Sequence, residues 1–376
     1  MEILNSKSYW DRQTWFTTND FIIIGSGIVG INTALTLREK FPKATITILE
    51  RGPWPQGAST KNAGFACLGS ISELLKDFKT HSSEDIFKLV EQRVLGLERL
   101  RNIVGDDHLE YKQLGGYEVF LEKHKSLLEK SLDHLNEIND LLYSLYKAPL
   151  FSVTDNIFGF SGINSKLIVN AFEGQLNTGK MMQALIKKTQ DANITILNNC
   201  NVNEYVEQPT NVLLQTNLGD FKTKTLLIAI NGFSEQLNIS NVKPGRAQVL
   251  ITKPIKNLNI KGTFHIDEGY FYFRNVGNRL LFGGGRNLAL KEEETTNFGE
   301  TELIQSTLDT YLKSHILPKT PYEIDMRWSG ILGVGNQKKP ILKKVSKNVY
   351  CGVRLGGMGV AIGSLVGKDL ANLATE

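Results

Sequence analysis

Cysteine is scarce in this chain. Its 376 residues include three, Cys67, Cys200 and Cys351, odd in number and far apart. This argues against a disulfide framework and for a reducing compartment, so a cytoplasmic protein is expected. Neither C-x-x-C nor H-E-x-x-H occurs, and no metal site is expected. No run approaches the ~18 apolar residues of a membrane-spanning helix. Residues 1–19 carry Asp, Glu, Arg and Lys beside Trp10 and Trp15, and do not read as a signal peptide. Charge of one sign is also lacking. The net +4 is too small to argue for a nucleic-acid partner, and pairs such as Lys338-Lys339 and Lys343-Lys344 read as solvated surface. There is no internal repeat and no low-complexity tract.

What is present begins at Phe21-Ile22-Ile23-Ile24, a buried parallel strand by pattern. Gly25, Gly27 and Gly30 follow as G-x-G-x-x-G, and a helical pattern starts at once and runs to about Phe41, before Pro42. The first glycine permits a tight turn, the second lets a pyrophosphate approach the backbone, and the third lets the helix pack on the strand. The helix start offers free N–H groups and partial positive charge to phosphates. A second apolar run, Ala44 to Leu49, ends in Glu50, placed to bind an adenosine ribose hydroxyl. A glycine turn alone is weak. Strand, turn, helix, strand and acid in this order indicate a dinucleotide site.

Residues 52–64 read as a loop. Helices are predicted from Ser82-Ser83 to about Val104, from about His124 to Tyr146, over Gly179–Thr189, near Glu300–Leu312, and at the C-terminus. Strands are predicted at Tyr117–Leu121, Ile194–Leu197, Val202–Val206, Val212–Thr216, Phe221–Ile230, Ala247–Thr252, Tyr270–Arg274, Arg279–Gly283, Tyr322–Ile331 and Val349–Val353. Trp10, Trp15 and Phe16 are candidates to pin the N-terminal arm. The first βαβ unit lies at one end of the chain and a last strand–glycine–helix unit at the other. This predicts mixed α/β and α+β architecture: a discontinuous Rossmann-like cofactor domain (1–80, 165–235 and 330–376) with an inserted antiparallel-sheet substrate domain (81–164 and 236–329).

Three further segments favour FAD over NAD. They are Gly57-Ala58-Ser59-Thr60-Lys61-Asn62-Ala63-Gly64-Phe65, Glu173-Gly174-Gln175-Leu176-Asn177-Thr178-Gly179, and Gly352-Val353-Arg354-Leu355-Gly356-Gly357-Met358-Gly359-Val360. Together with Ala229-Ile230-Asn231-Gly232-Phe233 and Trp328-Ser329-Gly330, they resemble, in order along almost the whole chain, the FAD-dependent D-amino acid oxidase superfamily. That group includes glycine oxidase, sarcosine oxidase and the D-amino acid dehydrogenases. The resemblance implies one non-covalent FAD, an antiparallel sheet over the flavin ring, and oxidation of a C–N bond in a small amine or amino acid to an imine by hydride transfer. It implies pyrophosphate contacts from Gly25, Ser26, Gly27, Ile28 and Gly30, a ribose contact from Glu50, and adenine contacts from Arg51 and Val202. Ser59, Thr60, Lys61, Asn62, Ala63 and Gly64 are expected on the pyrophosphate side and at the flavin. Asn231 and Gly232 are expected at a second cofactor-contact turn, Gly330 as a cofactor contact on the late substrate-side strand, and Gly357, Met358 and Gly359 at the pyrimidine end.

Two positions depart from that pattern. Amino-acid-binding members often carry an arginine two residues after the glycine matched by Gly330, pairing with the substrate carboxylate. Here the residue is Leu332. The lysine expected near Leu281-Phe282-Gly283, associated with oxygen reactivity, is also missing, which favours an electron acceptor other than oxygen. Arg354, Arg274 and Arg286 are candidate replacement cations, although each also reads as a surface or ion-pair arginine. In Tyr270-Phe271-Tyr272-Phe273, the two tyrosines share one face and are candidate pocket residues. His265 and Asp267 read as turn residues, and Cys351 as a small core residue. A flavin enzyme acting on a modified tRNA uridine, a non-enzymatic flavin protein and an NAD-dependent dehydrogenase are the alternatives.

Overall fold

The computed structural model describes residues 7–376. The Phe21–Ile24 run lies in the strand Thr18–Ile24, between Ile46–Leu49 and Gly219–Ile228. Both faces are covered, and Ile22, Ile23, Leu227 and Ile228 are wholly buried. This is why the sequence there is continuously apolar rather than alternating. The sheet continues as Ile341–Ser346, Val349–Val353, Gly219–Ile228, Thr18–Ile24, Ile46–Leu49, Thr195–Leu197, and all but its first strand are parallel. A hairpin, Val202–Glu207 and Val212–Thr216, extends it along Gly219–Ile228.

The helix Ile28–Lys40 packs against the last helix, Gly359–Leu373, and the Thr33 hydroxyl donates to the Gly367 carbonyl (3.0 Å). The first and last glycine-led helices are thus neighbours, as the strand order requires.

A second sheet runs Ile324–Val334, Lys243–Thr252, Arg279–Gly284, Phe271–Val276, Thr263–Ile266, Gly116–Val119, Lys166–Asn170, Phe151–Asp155. It is antiparallel except for the pair Thr263–Ile266 and Gly116–Val119. Its two faces differ. Phe264, Phe271, Phe273 and Phe282 pack with Ile304 and Leu308 of the helix Glu302–Tyr311. Tyr272, Val249, Leu281 and Trp328 face Ala63 and Phe65, toward the first sheet's loops.

Several expectations need correction. The helix predicted over 124–146 is two, Lys125–Asp133 and Leu135–Tyr146, broken at His134. Four strands of the two eight-stranded sheets were not anticipated: Phe151–Asp155, Lys166–Asn170, Thr263–Ile266 and Ile341–Ser346. The first and last are sheet edges with polar, partly exposed residues, so their apolar signal is weak. Lys166–Asn170 and the end of Ile324–Val334 pair in the second sheet, although both fall in segments assigned above to the cofactor domain. Trp10 and Trp15 are 73% and 45% exposed and pin nothing, whereas Phe16 stacks on Phe221 with ring centroids 4.7 Å apart.

Candidate active site

A cleft of about 1160 Å³, open mouth included, runs along the carboxyl ends of the parallel strands. Gly25, Gly27, Ile28, Glu50, Arg51, Ser59, Asn62, Val202, Asn231, Gly357 and Gly359 line it, joined by Leu332, Met181, Cys200 and Phe233, which the sequence did not single out for this role. The turn at its floor is built by close approach. A Cβ on Gly30 would lie 1.9 Å from the Gly25 carbonyl oxygen, and Gly25 itself has φ 100°. Gly30 therefore acts under the cleft, not in its wall.

Glu50 is fixed before any ligand arrives. One oxygen accepts from the Ser26 N–H (3.1 Å) and hydroxyl (2.6 Å), the other from the Gly52 N–H (3.0 Å). Ser26 thus turns toward Glu50. Arg51 lies over the Phe233 ring, 3.8 Å from its centroid, giving that end of the cleft a flat wall.

The 57–64 segment is tied down from Ser59 onward. The Ser59 hydroxyl accepts from Ile28 N–H (2.9 Å), and the Thr60 hydroxyl donates to Pro55 O (2.8 Å). The Trp328 indole donates to Lys61 O (2.9 Å), and Gly330 is close enough that a Cβ there would meet the Lys61 Cβ at 2.8 Å. The Asn62 side chain accepts from Gly64 N–H (2.8 Å) and from the Thr178 hydroxyl (2.9 Å). Thr60, Lys61, Ala63, Gly64 and Gly330 therefore shape this wall from behind. On the opposite side Asn231 Oδ1 accepts from the N–H groups of Arg354 (3.0 Å) and Leu355 (3.2 Å). Gly232 packs on Leu332, and Met358 is buried in the core beneath Gly357 and Gly359.

The substrate-side candidates separate. Arg354 has left-handed backbone (φ 64°), and its guanidinium donates to the carbonyls of Lys339 (2.8 Å) and Asn241 (3.2 Å), away from the cleft. Arg274 is 6% exposed and gives its donors to the carbonyls of Ala63, Leu176 (3.0 Å) and Asn275 (3.2 Å). Burial pulls its pKa down to about 10, so it stays charged at neutral pH and anchors the 62–64 segment. Tyr270 lies at the sheet's end, its hydroxyl accepting from Lys76 (3.3 Å). Tyr272 is central. It meets Phe65 edge-on with centroids 5.5 Å apart, and burial pushes its phenol up to about 12.

Beside Tyr272 runs a buried polar row. His265 pairs with Tyr272 on one side and Glu118 on the other. His265 Nε2 and Glu173 Oε1 are 2.5 Å apart, and Glu173 also accepts from the Thr263 hydroxyl (2.9 Å). Burial opposes charge on His265, but Glu173, Glu118 and Glu73 outweigh it and raise its pKa. Glu118 accepts from Ser72 and Ser70, yet burial dominates and lifts it to about 7. His265 is therefore not the turn residue expected; the turn falls at Asp267 and Glu268, both left-handed.

The cleft suits an extended dinucleotide. Helix starts at Ile28 and Gly359 direct N–H groups into it, and a Cβ on Gly57, Gly356 or Gly357 would meet nothing within 4 Å, leaving open space along its walls. Residues 20–373 match the family described as "DAO: FAD dependent oxidoreductase". The gamma-glutamylputrescine oxidoreductase of Escherichia coli is 21% identical over 98% of this chain and 86% of its own. The probable oxidoreductase OrdL of Haemophilus influenzae is 20% identical over 94% and 82%. The fold is that of L-proline dehydrogenase from P. horikoshii (TM-score 0.76, 16% identity, 95% of this chain and 93% of that one) and of glycine oxidase from Geobacillus kaustophilus (TM-score 0.76, 17%, 95% and 95%). With the family match spanning nearly all of its length, and a dinucleotide cleft where that family's cofactor belongs, the chain is a member of the DAO family of FAD-dependent oxidoreductases.

Proposed function

We propose that this enzyme oxidises the C–N bond of a small amine or amino acid to an imine, which water then hydrolyses. The observation that carries this reading is an aromatic cluster beside the cleft: Phe65, Tyr272 and Trp328 pack with Ala63, Val249 and Leu281 where the 57–64 segment, whose Ser59 and Asn62 line the cleft, meets the second sheet. Bound FAD supplies the hydride acceptor. The roof residues exclude water from the reacting carbon and restrict how the substrate can turn. N–H groups at the start of the helix Gly359–Leu373 provide positive potential for charge developing at that end of the cleft. The chain needs no strong base there if the amine binds neutral. His265 and Glu173 are paired to each other behind Phe65, consistent with a supporting role.

The named activities of the relatives, on gamma-glutamylputrescine, glycine and L-proline, lie within this reaction class. The residue of the strand Arg279–Gly284 that packs in this cluster is Leu281, not a lysine, which supports an acceptor other than oxygen. The test is turnover of the FAD-loaded enzyme against amines, N-methyl amino acids, D- and L-amino acids and matched alcohols, with a dye acceptor and separately with oxygen. Carbonyl product from a nitrogen compound, faster with the dye, is expected. Turnover of alcohols alone would overturn the reading.

A further inference from the structure

We propose that residues 335–340 form a strap across the substrate's way to the aromatic cluster, held shut by Lys338, and that a substrate enters when this latch opens. This rests on the amine or amino acid reading above.

In sequence Lys338 reads as solvated surface. In the fold it is half-buried, and its ammonium donates to Glu73 (2.8 Å) and Asp77 (2.9 Å) of the helix Ile71–Asp77. The two ends of this link are far apart in the second sheet. Lys338 follows the strand Ile324–Val334, the first in the sheet's order. The helix lies over the turn between the fourth and fifth strands: Lys76 pairs with Glu268 and donates to the Tyr270 hydroxyl (3.3 Å), and a Cβ on Gly269 would meet Glu73 at 3.8 Å. Strand spacings of ~4.8 Å separate the two, a gap that a few extended residues and a lysine side chain bridge.

Both anchors lie on the sheet's cleft-facing side. Leu332, just before the strap, lines the cleft. At the other end the Ser72 N–H donates to Glu118 (3.2 Å), the cross-strand neighbour of His265. His265 shares a face with Tyr272 and meets Phe65 edge-on, centroids 5.4 Å apart. The strap therefore crosses the end of the sheet on the side of Phe65 and Tyr272. The strands beneath it stop at different levels. Gly284 ends its strand opposite Gln248, whereas Val334 pairs further along with Lys243. The first two strands overhang, and overhang, strap and helix frame an opening onto the aromatic cluster.

The strap is fixed at its stem and free at its tip. The Arg354 guanidinium donates to Lys339 O (2.8 Å) and packs against Gly335, where a Cβ would meet the arginine Cδ at 2.7 Å. Between these points Asn336 and Gln337 are exposed. Among the described residues the only hydrogen bonds from strap to helix are those of Lys338. A partly exposed ion pair is a weak tie, so it closes the strap without locking it. Glu73 keeps the buried Arg93 (3.1 Å) when Lys338 leaves, so the helix stays anchored while the latch opens.

The test uses FAD-loaded enzyme. Trypsin cuts the strap after Lys338, because the bond after Lys339 leads into Pro340 and resists it. Asp77→Asn weakens the latch at a residue outside the cleft lining. Fragment 339–376 should appear about threefold faster or more than from the parent, at unchanged FAD content. Lys338→Met removes the latch. Anaerobic stopped-flow reduction of its flavin is followed with the smallest and the largest nitrogen compound active in the turnover panel. At low concentration the ratio of the two rates, large over small, should rise about threefold or more, with the limiting rate for the small compound kept within about twofold. Unchanged cutting of Asp77→Asn overturns the latch, and an unchanged ratio in Lys338→Met overturns the gate. Should Asp77→Asn fail to hold FAD, the ratio in Lys338→Met, a change in an exposed loop, decides alone. If the parent's flavin is reduced and the ratio does not move, this inference fails while the proposed reaction stands. If no nitrogen compound reduces it, the proposed reaction fails and the gate with it.

Discussion

Replacing Glu118 by Gln should flatten the pH dependence of stability. Glu118 is 3% exposed, next to His265 and within reach of Ser70 and Ser72. Burial dominates its environment and raises its pKa from 4.5 to about 7. The folded state therefore holds this proton more tightly than the unfolded chain. The resulting stabilisation is full below about pH 4.5 and is lost as the pH rises through about 7. At about 1.4 kcal/mol per pH unit, the loss between pH 5 and pH 8.5 amounts to about 2–3 kcal/mol. An amide has nearly the same shape and cannot ionise; its oxygen can accept from the Ser72 N–H while its NH2 donates to the serine hydroxyls. Urea unfolding of both proteins at fixed FAD concentration, at pH 5 and pH 8.5, reads the difference. The stability of Glu118→Gln relative to the parent should rise by about 2–3 kcal/mol between the two conditions. Parallel changes in the two proteins would refute the reasoning and mean that Glu118 ionises in the fold as it does in water.

Gly30→Ala places a Cβ 1.9 Å from the Gly25 carbonyl, so the first helix must move off its strand; co-purified FAD, read from the visible-to-ultraviolet absorbance ratio, should fall to a small fraction of the parent's. Glu293→Ala removes a fully buried carboxylate that accepts from Arg246 (2.7 Å) and Gln248 (2.9 Å), and thermal unfolding should show a loss of about 3–5 kcal/mol from the stranded guanidinium. Trp328→Phe keeps the ring but loses the bond to Lys61 O (2.9 Å), so it should cost about 1 kcal/mol and speed FAD release, with the secondary structure by circular dichroism unchanged.

The cofactor side was legible in the sequence because its chemistry is local. A tight turn, a buried strand and an acid at the next strand's end are written within thirty residues, and Gly25, Gly27, Ile28 and Glu50 all line the cleft. The roof was half legible. Alternation placed Tyr270 and Tyr272 opposite Phe271 and Phe273; Tyr272 keeps to that side, whereas Tyr270, just before the strand, packs against the phenylalanine cluster. The arginines could not be ranked from sequence. Arg354 and Arg274 sit in informative segments, but their partners are the carbonyls of Lys339, Asn241, Ala63 and Leu176, which only folding assembles. The buried row of Glu118, His265 and Glu173 was missed for the same reason. Its members, Glu118, Glu173 and His265, lie 55 to 147 residues apart, and no local pattern links them.

The most direct test of the account is an anaerobic titration of the FAD-loaded enzyme with the best nitrogen substrate from the turnover panel, reading flavin bleaching and carbonyl product together. The account predicts complete bleaching with one carbonyl formed per flavin reduced. A chain that takes up no FAD on reconstitution, or a flavin that no amine or amino acid bleaches, would contradict it.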